Sequence, residues 1–232
     1  MKTSADQAET PGAARLPVHE QVYRQLRDMI LFGELAPGQA VTIQGLTEVL
    51  DAGMTPVREA LRRLTAEGAL DFRGNRRIAV PELDAEALEE LTVARRALEP
   101  ELARRATARI DAAGITRLRE IDAALDAAIA RGDVGGYLTG NHHFHATLNG
   151  FAGAAILTGL VDGLWLRFGP SLRVVCGRFG TEGLPDRHKE LIAALEAGAP
   201  EAAARAMDED VLQGMEQIAE GLGPRAVPPA CG

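Results

Sequence analysis

The chain has 232 residues, of which 46% are hydrophobic, and its formal net charge is −8 at pH 7. This length suffices for one large domain or two smaller ones with buried cores. The acidic charge taken alone argues against nucleic-acid binding, and no apolar run approaches the roughly 20 residues that would cross a bilayer.

Both ends of the chain are expected to lie outside its folded part. Residues 1–15 are polar and lack the apolar segment of a signal peptide, so we expect a disordered arm. Residues 223–232 contain three prolines and are expected to form a flexible tail. The two cysteines, Cys176 and Cys231, are far apart in sequence. We expect a cytoplasmic protein that does not bind membranes.

Two amphipathic helices are predicted first, over residues 18–32 and 43–50. A tight link over residues 51–54 then leads into a third helix. The apolar stripes of the first two helices consist of Val22, Leu26, Met29 and Ile30, and of Leu46, Val49 and Leu50.

The third helix has a predicted start, two distinct faces and a predicted end. Thr55 is expected to be its N-cap, Pro56 its first residue and Gly68 its stop. Helical spacing separates an apolar face from guanidinium groups that could reach phosphates or guanine edges. The apolar face consists of Val57, Ala60, Leu61 and Leu64, and the cationic residues are Arg58, Arg62 and Arg63.

Two short strands are predicted after this helix, over residues 69–72 and 78–80. They flank a basic tip formed by residues 73–77. Three helices followed by a basic hairpin predict a winged helix-turn-helix, which occupies residues 16–81 in this interpretation.

Several motifs in this region occur together in one known family. They are Leu35-Ala36-Pro37-Gly38, the segment from Leu46 to Leu50, the segment from Thr55 to Leu61, Leu64, and Glu67-Gly68. On these residues the chain resembles the GntR family of transcriptional regulators. It departs from the family at Gly53-Met54, where Ser-Arg is frequent, and at Arg77, where the wing tip usually has glycine. The resemblance therefore does not extend to the family's usual DNA half-site.

The resemblance implies that the third helix and the wing contact double-stranded DNA. Arg58 lies near the helix start, where base edges are reached, while Arg62 and Arg63 could also be solubilising charge. The distribution of charge is consistent with DNA binding by this part of the chain. Residues 1–80 hold 10 basic and 10 acidic residues, and the excess of acidic residues lies beyond residue 80. The predicted DNA-binding residues are Thr55, Arg58, Arg62, Arg63, Arg73, Asn75, Arg76 and Arg77.

Residues 82–222 show helical periodicity throughout and predict an all-α bundle of about six helices, so the fold class is mainly α. Pro170 is expected to break or bend one helix. The predicted helices span residues 84–110, 115–130, 137–148, 154–175, 186–196 and 201–218.

This second part resembles the helical, FCD-type effector-binding domain of the FadR branch of the family. The markers are weaker: Arg95 with Leu98-Glu99, Phe144-His145, and His188 followed by Leu191, Ala194-Leu195 and Gly198. The resemblance implies a small-molecule effector, which we expect to be a carboxylate. Arg95 and Arg173 are the predicted effector-binding residues, although Arg95 could instead pair with Glu99 one turn away.

The resemblance also implies a divalent metal site with altered ligands. Asn141 stands where the family has an aspartate, His145 and His188 match, and Asp210 stands in place of a third histidine. Such donors suit zinc, nickel, manganese or iron. His142 could replace the weak amide ligand Asn141, but it and Asp210 could equally be ordinary core or surface groups.

The expected function is a homodimeric transcriptional regulator, favoured as a repressor, whose affinity for a near-palindromic operator responds to the effector. Two alternatives stay open. One is a metal-dependent enzyme using His145, His188 and Asp210, although no general base is evident beside them. The other is a DNA-bridging protein that responds to no ligand.

Overall fold

The computed structural model describes residues 16–73, 77–180 and 187–222. The expected arm and tail, and the wing residues Asn75 and Arg76, lie outside them. The first part of the chain forms α1 (Val18–Leu31), β1 (Ala40–Val41), α2 (Ile43–Val49), α3 (Met54–Ala66), β2 (Asp71–Arg73) and β3 (Arg77–Ala79). This arrangement of three helices and a small sheet confirms the winged helix-turn-helix.

Helix α3 packs its apolar face against α1, as its periodicity predicts. Val57, Ala60, Leu61 and Leu64 are all buried. Leu26 and Ile30 of α1 are fully buried in the same core. The preceding helix, α2, is fixed at its start because the Thr42 hydroxyl accepts a hydrogen bond from the Gly45 amide at 3.1 Å.

The start of α3 differs from the expectation. The helix begins at Met54, with Gly53 as its N-cap, so Thr55 is not the cap and lies inside the first turn with Pro56. Amide groups of a first helical turn have no partner within the helix. Pro56, which has no amide hydrogen, therefore fits the third position as well as the first.

Gly68 ends α3 as predicted. Its φ of +72° is left-handed, and the amides of Gly68 and Ala69 donate to the carbonyls of Thr65 and Leu64. The amide of Leu70 also donates to Leu64. These bonds hold Ala69 and Leu70 in the turn, so β2 starts at Asp71, two residues later than expected.

The sheet has three strands in the order β1-β3-β2. Both pairs are antiparallel, with Ala40 opposite Ala79 and Phe72 opposite Ile78. The sequence did not predict β1, because two residues are too short to show a strand pattern.

The second part of the chain forms six helices within the described residues, which confirms the all-α expectation. Pro100 and Pro170 lie inside helices that continue past them, so Pro170 does not break its helix. The helices are α4 (Ala85–Thr107), α5 (Ala112–Ala130), α6 (Val134–Phe151), α7 (Ala155–Phe179), α8 (His188–Glu196) and α9 (Pro200–Leu222). None of the described helices is long and apolar enough to span a membrane.

Aspartate caps extend two of these helices beyond their predicted starts. Asp111 accepts a hydrogen bond from the amide of Gly114 at 2.7 Å, and Asp133 accepts one from Gly136 at 2.9 Å. Helices α5 and α6 therefore begin three residues earlier than their apolar periodicity indicates.

The two parts of the chain meet where α1 ends against α7. Gly169 is buried there, and a Cβ atom added to it would overlap the carbonyl oxygen of Leu31. The close approach of the two backbones thus requires glycine at this position.

We expect Gly169→Ala to lower the free energy of unfolding by about 1–3 kcal/mol, because the added methyl group must push α1 away from α7. Gly163→Ala is the matched control in the same helix. A Cβ at Gly163 meets nothing within 4 Å, so this change should stabilise by about 0.5–1 kcal/mol through helix propensity. Urea denaturation of both variants checks the prediction, and equal midpoints would contradict it.

Candidate DNA-reading surface and buried polar site

The outward side of α3 carries the exposed residues Thr55, Arg58 and Arg62. Arg58 and Arg62 are four residues apart, so they lie on one side of the helix. They line a groove of about 360 Å³ together with Phe72 and Ile78 of the sheet. This surface therefore combines guanidinium groups with an apolar wall, and Phe72 is 67% exposed on it.

Arg63 has a different environment from Arg58 and Arg62. Its Nη1 atom lies 3.0 Å from Oε2 of Glu20, and its guanidinium carbon lies 3.6 Å from the ring centroid of Tyr23. The Tyr23 hydroxyl in turn donates to Glu67. Arg63 thus joins α3 to α1, and its contact with DNA stays a prediction.

The wing is described only at its two strands. Arg77 is exposed at the start of β3, opposite Arg73 at the end of β2 in the antiparallel register. The backbone thus brings two of the predicted wing arginines to neighbouring positions at the wing tip.

A cluster of buried polar side chains lies inside the helical bundle. Arg95 and Glu99 come from α4, Asp122 from α5, His145 from α6 and His188 from α8. Asp210 of α9 adjoins them. Six side chains from five helices are therefore brought to one polar site.

His145 lies between two carboxylates. Its Nδ1 atom is 3.3 Å from Oε2 of Glu99, and its Nε2 atom is 3.2 Å from Oδ2 of Asp210. Burial alone would disfavour the charged imidazole, but the adjacent carboxylates of Asp210 and Glu99 outweigh this effect and raise the pKa of His145 to about 9. At neutral pH the His145 imidazole is therefore protonated, and this positive charge lies between the two carboxylates.

His188 has a similar carboxylate neighbour. Its Nδ1 atom lies 3.3 Å from Oδ1 of Asp122, and its ring stacks on Phe144 with centroids 3.8 Å apart. Burial raises the pKa of Asp122, but its hydrogen bond with His188 and the nearby charges more than offset this, so the net shift is downward. Lys189 contributes to that shift, with Nζ 3.6 Å from the same carboxylate.

The donors present fit a divalent metal ion. One ligand atom from each of His145, His188 and Asp210 lies within 4.8 Å of the other two. Two imidazoles and a carboxylate are a common set for zinc, nickel, manganese or iron. Asn141 is half-buried on α6, one turn before His145. The structure therefore brings together three of the four predicted ligands.

His142 is engaged elsewhere, so the suggestion that it replaces Asn141 receives no support. Its ring lies edge-on to Phe32 of α1 and Trp165 of α7, with centroid distances of 5.8 and 5.1 Å. Burial, followed by the charge of Arg27, lowers the pKa of His142 to about 4. His142 is thus a neutral contact between the bundle and α1.

The two arginines predicted to bind an effector are not brought together. Arg95 pairs with Glu99 through Nε at 2.5 Å and Nη2 at 3.3 Å, which is the alternative that the sequence left open. Its guanidinium also lies 4.1 Å from the ring centroid of Phe168. Arg173 instead donates to the Phe32 carbonyl at 3.3 Å. The Arg95 guanidinium is therefore paired with Glu99 inside the bundle, whereas Arg173 contacts the end of α1.

Sequence reasoning missed the roles of Glu99 and Asp122 beside the histidines. A signal was present, because Asp122 falls at helical spacing between Leu118 and Leu125, both buried. A carboxylate in an apolar stripe indicates a buried polar partner. The sequence could not name that partner, because His188 lies on another helix.

Comparison with known proteins agrees with this two-part structure. Residues 18–80 match the bacterial regulatory proteins of the gntR family, and residues 90–213 match the FCD domain. The chain is 29% identical over 180 residues to the HTH-type transcriptional regulator McbR of Escherichia coli (strain K12), covering 76% of this chain and 81% of that protein. It is 25% identical over 210 residues to the HTH-type transcriptional repressor RspR of the same organism, covering 89% of each.

Solved structures give the same result. The structure of E. coli McbR/YncC matches with a TM-score of 0.84 and 26% identity, covering 90% of this chain and 100% of that one. A putative GntR transcriptional regulator from Rhodococcus sp. RHA1 matches with a TM-score of 0.71 and 27% identity, covering 87% and 97%. Since these relatives are transcriptional regulators and not enzymes, and both family matches occur in one chain, the protein belongs to the GntR family of DNA-binding transcriptional regulators and has a C-terminal FCD domain.

Proposed function

We propose that the protein is a homodimeric repressor whose operator affinity is controlled by a small carboxylate, bound at a divalent metal ion in the FCD domain. Residues 16–81 would read DNA and residues 82–222 would bind the effector and form the dimer. The proposal rests on one observation, the buried donor set of His145, His188 and Asp210. As a DNA-binding regulator, the protein would act in the cytoplasm.

The charges around this donor set favour a bound cation. Among the described residues, three carboxylates face two cationic side chains, even when the exposed Lys189 is counted, so neutral imidazoles would leave a net negative charge. A proton on His145 offsets this charge in the metal-free protein. The charged groups are Glu99, Asp122 and Asp210, and Arg95 and Lys189.

A bound divalent ion would supply positive charge and a coordination position for a carboxylate. His145, His188 and Asp210 would hold it, while Arg95 stays paired with Glu99. Arg95 would therefore act through Glu99 and not on the effector. Without the ion, a carboxylate would find no coordination position at this site, so effector binding would depend on the metal.

Helix α7 offers a physical route from this site to the DNA-binding part. Trp165 lies 5.2 Å from His145, measured between ring centroids, and also faces His142. On the same helix, Arg173 donates to the carbonyl that ends α1, and the Arg167 guanidinium lies against Gly68 at the end of α3. An effector that favours one position of α7 would shift both helix ends.

Dimeric repression is supported by the geometry of DNA and by the relatives. A palindromic operator places two half-sites roughly 34–36 Å apart, and a two-fold dimer presents one α3 helix to each. The relative RspR is named a transcriptional repressor. A protein that only bridges DNA would bind its operator identically with and without metal and carboxylate.

Arg58→Ala should weaken binding to the operator by roughly 5- to 150-fold, or about 1–3 kcal/mol, and relax its selectivity. Arg58 is exposed near the start of α3, where base edges are within reach. The measurement is a shift assay at fixed salt with DNA flanking the protein's own gene and with unrelated duplex. Arg131→Ala removes one exposed charge from the bundle and is the matched control. An equal loss in both variants would mean that Arg58 contributes only charge.

Metal binding should release about one proton from His145 near neutral pH. The imidazole whose pKa is about 9 must lose its proton before it can bind the ion. Apparent affinity for Ni²⁺ or Zn²⁺ should thus fall by roughly tenfold for each pH unit below 9. Calorimetric titration of chelator-treated protein, in buffers of different ionisation enthalpy, measures the proton count. Affinity that is independent of pH would show that His145 is not a ligand.

Arg173→Gln should uncouple the site from DNA. Its loss removes the hydrogen bond from α7 to Phe32, so the change in operator affinity caused by metal and a small carboxylate should shrink several-fold while metal binding is unchanged. Lactate, with lactamide as the uncharged comparison, is a suitable first probe within a carboxylate panel.

Arg178→Gln provides the matched control for this coupling. Arg178 lies on the same helix and also donates to a backbone carbonyl, that of Gly221 at 2.7 Å, but within the bundle. It should keep the full response to metal and carboxylate. If Arg173→Gln responded as strongly as this control, α7 would not be the route.

A further inference from the structure

We infer that Glu99 and Asp122 are positioning residues that fix the rings of His145 and His188 so that both aim Nε2 at one shared cation. This inference rests on the proposed metal site and adds two residues to it. Neither carboxylate belongs to the ligand set of His145, His188 and Asp210.

The same geometry occurs twice in the cluster. Nδ1 of His145 is 3.3 Å from Glu99, and Nδ1 of His188 is 3.3 Å from Asp122. An imidazole that donates its Nδ1 hydrogen to a carboxylate keeps the lone pair on Nε2. Carboxylates in this position orient metal-binding histidines and increase their basicity.

The two positioning carboxylates are themselves held in place. Glu99 is fully buried and accepts two hydrogen bonds from Arg95, and Arg95 is packed on Phe168. Asp122 is nearly buried and lies 3.6 Å from Nζ of Lys189. Each carboxylate therefore has a cation on one side and an imidazole on the other.

Asp210 is distinguished from them by the atom that it faces. It lies 3.2 Å from Nε2 of His145, on the opposite edge of the ring from Glu99. Its other oxygen accepts a hydrogen bond from the Arg187 amide at 3.2 Å. The three acids of the cluster thus divide into one ligand and two residues that act through histidines.

The test measures Ni²⁺ affinity of the full chain by calorimetry and the visible spectrum of the Co²⁺-loaded protein. Glu99→Gln and Asp122→Asn should each lower Ni²⁺ affinity by roughly 10- to 100-fold, the usual effect of losing such a carboxylate. Both should also shift the Co²⁺ absorption bands, because a changed ring orientation alters the ligand field. A purely structural role would leave this spectrum unchanged.

Two matched controls lie on the same helices. Glu101→Gln on α4 affects a carboxylate bound to Arg104 and Arg105, and Asp126→Asn on α5 affects one bound to Lys189 at the surface. Both should bind Ni²⁺ like the unchanged protein. Thermal unfolding without metal identifies any variant that is not folded, and Asp122→Asn, at the edge of the cluster, keeps the test decisive if Glu99→Gln does not fold.

The outcomes separate the two proposals. If the unchanged chain binds Ni²⁺ but folded Asp122→Asn and Glu99→Gln match it in affinity and Co²⁺ spectrum, the positioning roles are overturned and the metal site remains. If the unchanged chain binds neither Ni²⁺ nor Co²⁺, the metal site itself is overturned and the positioning roles fall with it.

Discussion

The helical bundle depends on mutual neutralisation of charges that are removed from water. A continuous row runs from Arg95 through Glu99 and His145 to Asp210, and so links α4, α6 and α9. Burying an unpaired charge is strongly unfavourable, and removing one member of a buried pair exposes that penalty. Each of these side chains is therefore fixed by the next.

Helix α7 forms a wall that is shared by the two parts of the chain. Trp165 and Phe168 face the buried charges, with Arg95 over both rings. Other residues of the same helix contact the ends of α1 and α3. Helix α7 therefore contacts both the buried polar site and the ends of two helices in the DNA-binding part.

The sequence predicts most of the local structure because local structure follows from spacing. The buried face of α3 and the stop at Gly68 agree with the expectation. The start of α3 differs by two residues, since Gly53 and Thr55 both allow a helix to begin and the preceding link decides between them. Strand β1 has only two residues, which is too few to show the alternation of apolar and polar residues that predicts a strand.

The site was only partly predictable from the sequence. The family resemblance implied His145, His188 and Asp210 as ligands, and these residues do lie together. The partners of those histidines could not be predicted, because Glu99 and Asp122 reach them across helices that are distant in sequence. Burial also reversed one expectation, since Arg95 is paired within the core and is not open to an anion. Non-local contacts decide which buried charges bind a ligand and which hold one another.

The contact at Gly169 has a consequence for protein engineering. Regulators of this kind invite the construction of chimeras, in which a DNA-reading module is transplanted onto a foreign sensor. Here the contact between the two parts of the chain depends on Gly169, whose lack of a side chain leaves room for the Leu31 carbonyl. A recipient sensor with any side chain at the equivalent position would hold the transplanted module at a different distance and tilt. Compatibility between modules should therefore be screened at this residue before the sequence of the connecting segment is optimised.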